Sequence, residues 1–162
     1  MSNCHIVVGA TGTGKTTYIK NIIKRVNKNA LFIYDVNKEY TAYFPYKFTD
    51  FETFIESASR IKNGVIILEE ATIFLSNRSS NDYLRSILVR KRHTNTFIIL
   101  VFHSMRSVPR YIYELANYIT IFHTNDSPDM TAKELKDERL ETIMNEVKES
   151  RNKYFYKTIK IY

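Results

Sequence analysis

Residues 9–17 read Gly9-Ala10-Thr11-Gly12-Thr13-Gly14-Lys15-Thr16-Thr17. Gly9, Gly14, Lys15 and Thr16 complete the pattern G-x-x-x-x-G-K-[ST]. An apolar run, His5 to Val8, precedes it, and Ile19, Ile22, Ile23 and Val26 follow at helical spacing. That is the strand, loop and helix order the pattern requires, and a merely tight turn would need none of it. The glycines let successive backbone N–H groups turn inward around phosphates, and the start of the helix adds partial positive charge. All nine residues are therefore expected to cradle a nucleoside triphosphate. Lys15 is expected to reach the β- and γ-phosphates, and the Thr16 hydroxyl to ligate magnesium.

Working outward, short runs rich in Val, Ile and Phe alternate with amphipathic segments, the pattern of a parallel sheet covered by helices. Further strands are expected at Leu31 to Val36, Val65 to Leu68, Thr96 to Phe102 and Ile119 to Phe122. Together with His5 to Val8 they make a mainly parallel five-stranded core sheet. Tyr43 to Tyr46 reads as loop. Thr49-Asp50-Phe51-Glu52 reads as a capping box for a helix that stops at Gly64. Ser76 to Asp82 reads as a polar stretch before a helix through Leu84, Ile87 and Leu88 that ends near Arg90-Lys91-Arg92-His93. Pro109 suits the first turn of another helix. Beyond Ser127-Pro128, a second capping box, Thr131 to Glu134, is expected to start one charged helix carrying Leu140, Ile143, Met144 and Val147. An edge strand guarded by Lys157 and Lys160 closes the chain.

A magnesium nucleotide site needs a carboxylate from a neighbouring strand, and hydrolysis needs a group that orients or deprotonates water. The strand Val65 to Leu68 ends in Glu69-Glu70. Glu69 is assigned to the magnesium and Glu70 to the water. His103 ends the fourth expected strand, where a polar side chain can sit between that water and the γ-phosphate. Arg85, Arg90 and Arg92 fall where a subunit edge could present an arginine, although a solvated helix end explains each equally well.

The 162 residues suit one domain with one substantial core. Hydrophobic residues are 44% and charged residues 25%, which excludes a disordered chain. Lys and Arg outnumber Asp and Glu by 24 to 17, for a net charge of +7. Such a surface attracts polyanions, and its clusters at Lys20 to Arg25, Arg90 to Arg92 and Arg151 to Lys160 point to nucleic acid held through phosphates. Tyr154 and Tyr156 could stack on its bases. The single cysteine, Cys4, fits a reducing interior such as the cytoplasm. The longest apolar run, Phe97 to Phe102, is too short to cross a membrane, and the polar start reads as no signal peptide.

GATGTGKTT, the strand IYDVNKEY with Asp35 and Glu39, the acids of ILEEA, the KRH before FIILVFHS, and RYIYELANYITIF together resemble the FtsK–HerA superfamily. That superfamily comprises DNA-pumping ATPases, including viral genome-packaging ATPases and Zot-like proteins of filamentous phages. The resemblance runs from His5 to Phe122. It implies an α/β P-loop NTPase fold of the RecA/ASCE kind, ATP and Mg2+ as cofactors, and DNA as partner. It also implies Glu69 as the Walker B acid, Glu70 as the catalytic glutamate, and Arg92 as a finger acting on the neighbouring subunit of a hexameric ring. The setting would be host cytoplasm or virion, with a capsid or membrane-associated viral partner. His103 stands where those families usually carry Gln. No DNA-reading domain is expected after the core, so genome specificity would come from partners or loops.

Two other readings stand beside this one. A nucleotide-type small-molecule kinase needs an acceptor pocket and an arginine-rich lid, and no compact lid is evident. A GTP-binding switch or ATP-dependent interaction module without translocation is the other. Asn37-Lys38 matches part of a guanine-reading motif, but Tyr40 stands where its Asp should be.

Overall fold

The structure, a computed structural model, describes residues 3–40 and 46–161. Among the described residues, seven strands form one sheet: β1 (Cys4–Val8), β2 (Leu31–Tyr34), β3 (Tyr46–Phe48), β4 (Val65–Leu68), β5 (Phe97–Phe102), β6 (Tyr118–Ile121) and β7 (Lys157–Lys160). Their order is β3-β2-β4-β5-β1-β6-β7, and only the β6–β7 pair is antiparallel.

The core strands are buried on both sides, and their side chains alternate between two apolar layers. Val7, Ile33, Ile67 and Ile99 face Ile19 and Ile23 of α1 (Lys15–Ile23). Ile6, Ile66, Ile98 and Leu100 face the opposite way, against Phe54 of α2 (Phe51–Arg60) and Leu84 and Leu88 of α3 (Arg78–Thr94). The same layer takes in Ile112 of α4 (Arg110–Leu115), Leu135 of α5 (Pro128–Leu135) and Leu140 of α6 (Arg139–Glu149). Cys4 lies wholly inside it, and burial pushes its thiol up to about 12, so it is an inert core residue.

Several expectations change. The core sheet has seven strands, not five. The additional parallel strand, β3, spans only three residues, too few for an alternation to register. It includes Tyr46, expected as loop, whose ring stacks on Phe32 with centroids 4.9 Å apart. The rest of that expected loop, Tyr43 to Pro45, lies outside the described residues. Helix α2 is capped by Asp50, whose carboxylate accepts the Thr53 N–H at 2.8 Å, and not by Thr49. It ends before Gly64; Asn63 takes the left-handed conformation there. Helix α3 begins inside the stretch read as polar loop, because the Asn77 side chain accepts from the Ser79 N–H at 2.9 Å. The expected single C-terminal helix is two. Ser127 and Pro128 start α5, which puts Thr131 inside it, and Lys136 at φ 55° breaks the chain before α6.

Topology positions the chemistry. Strand β1 lies between β5 and β6, and its C-terminal end opens the Gly9–Thr17 loop. Ligands of open α/β sheets bind beyond the carboxyl ends of the strands. Here β4, β5 and β1 lie side by side, so the residues after each stand in a row: Glu69-Glu70, His103, then Gly9.

Candidate active site

Gly12 and Gly14 adopt φ 78° and 98°, the left-handed region in which a Cβ is strained. Gly9 has a different reason to be glycine. A Cβ there would lie 2.6 Å from Phe122 Cβ and 2.9 Å from Thr13 Oγ1. The loop is pinned at its base, since Gly9 N–H donates to Phe102 O at 3.1 Å and Ala10 N–H to His123 O at 2.8 Å. Thr13 Oγ1 adds a bond to Ala10 O at 2.8 Å. Thr11 and Thr17 remain exposed.

Lys15 occupies the first position of α1 and is itself buried. Its ammonium donates to the carbonyls of Gly9 at 2.6 Å and Ala10 at 3.0 Å. Burial lowers its pKa, and the carboxylates of Glu69, Glu39 and Glu70 oppose that shift. The group is thus a cation folded back over the loop, with three acids around it.

Those acids come from two places. Glu69 and Glu70 follow β4 as the sequence predicts. Glu69 is buried and accepts a hydrogen bond from the Tyr40 hydroxyl. Burial pushes its carboxyl up to about 7, partly offset by that bond. Glu39 arrives from the loop after β2. The buried Asp35 carboxylate accepts the N–H groups of Glu39 at 2.8 Å and Tyr40 at 3.2 Å, which folds that loop over α1. Glu39 then accepts from the Thr16 hydroxyl, and Lys20 Nζ clasps the Glu39 carbonyl at 2.6 Å. Sequence reasoning saw Glu39 only within a resembling strand motif and gave it, Asn37 and Tyr40 no role at the site. No local pattern brings them there; the Asp35 turn does.

His103 Nε2 lies 2.7 Å from Glu70 Oε1, and Asn37 Nδ2 lies 3.5 Å from the same oxygen. A cavity of about 280 Å³ joins the loop, Asn37, Glu39, Glu69, Glu70, His103 and Tyr154. Lys15 and Thr16 line it as well, so the structure brings Lys15, Thr16, Glu69, Glu70 and His103 to one cavity and leaves Arg92 out of it. Arg92 lies in the last turn of α3, at the helix end that the sequence places near Arg90 to His93. It lines a separate groove with Leu115 and Asn117 at the start of β6. The phosphate loop leaves the other ends of the strands, where Val8 pairs with Phe102.

Among the described residues, no cluster of three or more His, Cys, Asp or Glu side chains forms a ready-made metal cage. The site offers instead a hydroxyl and separate carboxylates beside the glycine loop and the N-terminus of α1, an arrangement that can hold a triphosphate and polarise one end of it.

This fold and this loop define a P-loop NTPase of the α/β class, with a mostly parallel sheet between two layers of helices. More particularly, the chain belongs to the ATPase family associated with various cellular activities (AAA), whose sequence profile matches residues 5–147. It is accordingly an ATP-binding ATPase domain. No curated protein matches the sequence. Among solved structures, the DNA-packaging ATPase B204 of Sulfolobus Turreted Icosahedral Virus superposes with a TM-score of 0.76. The identity is 17%, over 99% of this chain and 93% of that one. The genome packaging NTPase B204 of Sulfolobus turreted icosahedral virus 2, in complex with AMPPCP, gives a TM-score of 0.76 at 18% identity, covering 99% and 92%. At such identities the likeness is one of fold. No helix among the described residues is long and apolar enough to cross a membrane.

Proposed function

We propose that this ATPase is a nucleic-acid translocase of the FtsK–HerA kind, a viral genome-packaging motor that couples ATP hydrolysis to movement of DNA. The observation that carries this reading is the row Glu70, His103 and Lys15 across neighbouring strand ends, in a fold shared over its full length with packaging ATPases.

In this reading, the Gly9–Thr17 backbone cradles the phosphates and Lys15 swings from the Gly9 and Ala10 carbonyls onto the β- and γ-phosphates. Glu70 orients and deprotonates the attacking water while His103 holds the Glu70 carboxylate. Magnesium fits the donor set, since the Thr16 hydroxyl and the Glu69 and Glu39 carboxylates are hard oxygen donors, and this ion takes one or two carboxylates together with phosphates. When bound, it neutralises charge on the phosphates. Arg92, at the opposite ends of the strands from its own loop, completes the site of a neighbour in a homo-oligomeric ring, taken as a hexamer. The net charge of +7 supports DNA held through its phosphates. The place of action is host cytoplasm or virion, beside a capsid or membrane-associated viral partner.

The test is an ATPase assay with and without single- and double-stranded DNA. Stimulation by polymer is the expected result. Indifference to every DNA added, or transfer of phosphate to a nucleotide acceptor, would overturn the motor reading.

A further inference from the structure

After α6 the chain returns across the sheet and passes beside the phosphate loop. Three attachments hold that return. The His123 ring Nε2–H donates to the Asn152 carbonyl at 3.1 Å. Tyr156 packs against Tyr18 of α1 and Phe122, with ring centroids 4.8 and 4.9 Å away. Strand β7 then pairs with β6. Between these anchors stands Tyr154, so close to the loop that a Cβ on Gly14 would lie 3.2 Å from its Cδ1. The ring lines the phosphate cavity yet stays 54% exposed. Lys153 Nζ lies over one face of it, 4.8 Å from the centroid.

The cavity therefore has two unlike sides. Toward β4 and β5 stand Glu69, Glu70 and His103; toward β6 and β7 stands Tyr154. A triphosphate whose terminal phosphate points at the acids must send its sugar and base out on the other side. We propose that Tyr154 is the nucleobase platform of this site, the face on which the purine stacks while Gly9–Thr17 holds the phosphates. The inference rests on the reading of that loop as the triphosphate site. Stacking reads a π-face, which adenine and guanine share, so the platform accepts ATP and GTP alike.

Calorimetry with three ligands tests it: ATP, GTP and inorganic tripolyphosphate, which has the phosphates and no base. Tyr154→Ala is expected to weaken ATP and GTP by about tenfold or more while leaving tripolyphosphate unchanged. Tyr154→Trp is expected to keep both nucleotides. Undiminished ATP affinity in Tyr154→Ala would overturn the proposal. So would an equal loss for tripolyphosphate, because Tyr154 would then only brace Gly14. Failure of the wild-type protein to bind either ATP or tripolyphosphate would overturn the phosphate-loop reading itself, and the platform with it.

Discussion

His103 Nε2 and Glu70 Oε1 are 2.7 Å apart, a bond that joins the end of β5 to the end of β4 beside the phosphate loop. With Glu70 ionised, the imidazole N–H donates and the carboxylate is held in one orientation. Removing the donor should therefore act through Glu70. His103→Ala is expected to lower kcat by about 10-fold to 100-fold with little change in KM, and His103→Gln, which keeps an N–H donor, to recover much of it. Steady-state kinetics of the two variants check this. Equal losses in both would show that an imidazole, and not merely a donor, is needed.

The two acids after β4 should separate in their effects. Glu70→Gln is expected to bind ATP normally and slow hydrolysis by about a hundredfold or more. Glu69→Gln should instead weaken the dependence of ATP binding on magnesium. Binding measured at graded magnesium, followed by single-turnover hydrolysis, distinguishes them. Normal magnesium dependence in Glu69→Gln and normal hydrolysis in Glu70→Gln would refute both assignments.

Lys15→Ala removes the cation that the loop holds at its own carbonyls. ATP affinity should fall by about a hundredfold, the scale of charge-assisted hydrogen bonds, with hydrolysis lost. The melting temperature without nucleotide should not drop greatly, since the ammonium is bound among backbone carbonyls and not packed in either apolar layer. Titration calorimetry showing equal affinity in variant and wild type would sink the assignment.

Shared sites can be detected by mixing. Arg92→Ala protein and Glu70→Gln protein should each be nearly inactive, and together they should regain part of the activity. Some interfaces then pair an intact Glu70 with an intact Arg92, whose effect on phosphoryl transfer is about a thousandfold or more. Full DNA-stimulated activity of Arg92→Ala alone would exclude the role.

Stability should carry a histidine signature unrelated to catalysis. His5, buried beside Thr120 at 2.8 Å, is held down to about 4 by burial, against an ordinary 6.5. Its folded pKa lies below the unfolded one, so the unfolded chain binds the extra proton between those values. The contribution is whole above pH 6.5 and is lost as pH falls toward 4, at up to about 1.4 kcal/mol per pH unit. Urea midpoints at pH 7 and pH 5 should differ accordingly, and His5→Gln should flatten the difference. An unchanged slope in that variant would assign the acid sensitivity elsewhere.

What could be read from the sequence follows the range over which each signal acts. The phosphate loop is nine consecutive residues whose backbone needs are local, and the strands from Cys4, Leu31, Val65, Phe97 and Tyr118 are runs of apolar residues buried on both faces. Strand β3 exists because Phe32 offers its partner, and three residues carry no period. The break at Lys136 uses a left-handed lysine where the usual punctuation is glycine. Glu39 and Tyr40 reach the cavity through the Asp35 turn. Tyr154 reaches it only after the chain has crossed two helices and turned back, so no spacing near Gly14 announces it.

Arg92 and the phosphate loop stand at opposite ends of strands about 20 Å long. One patch shared about a twofold axis would have to present both ends at once. If Arg92 serves a neighbour's loop, as proposed, the contacts made through them are head-to-tail: each copy offers a donor end to one neighbour and a receptor end to the next. Such contacts either close into a circle or run on as a filament, and in both cases they have a polarity. A circle built on that contact would have a built-in sense of rotation, which would let one hydrolysis event be told apart from the next around it.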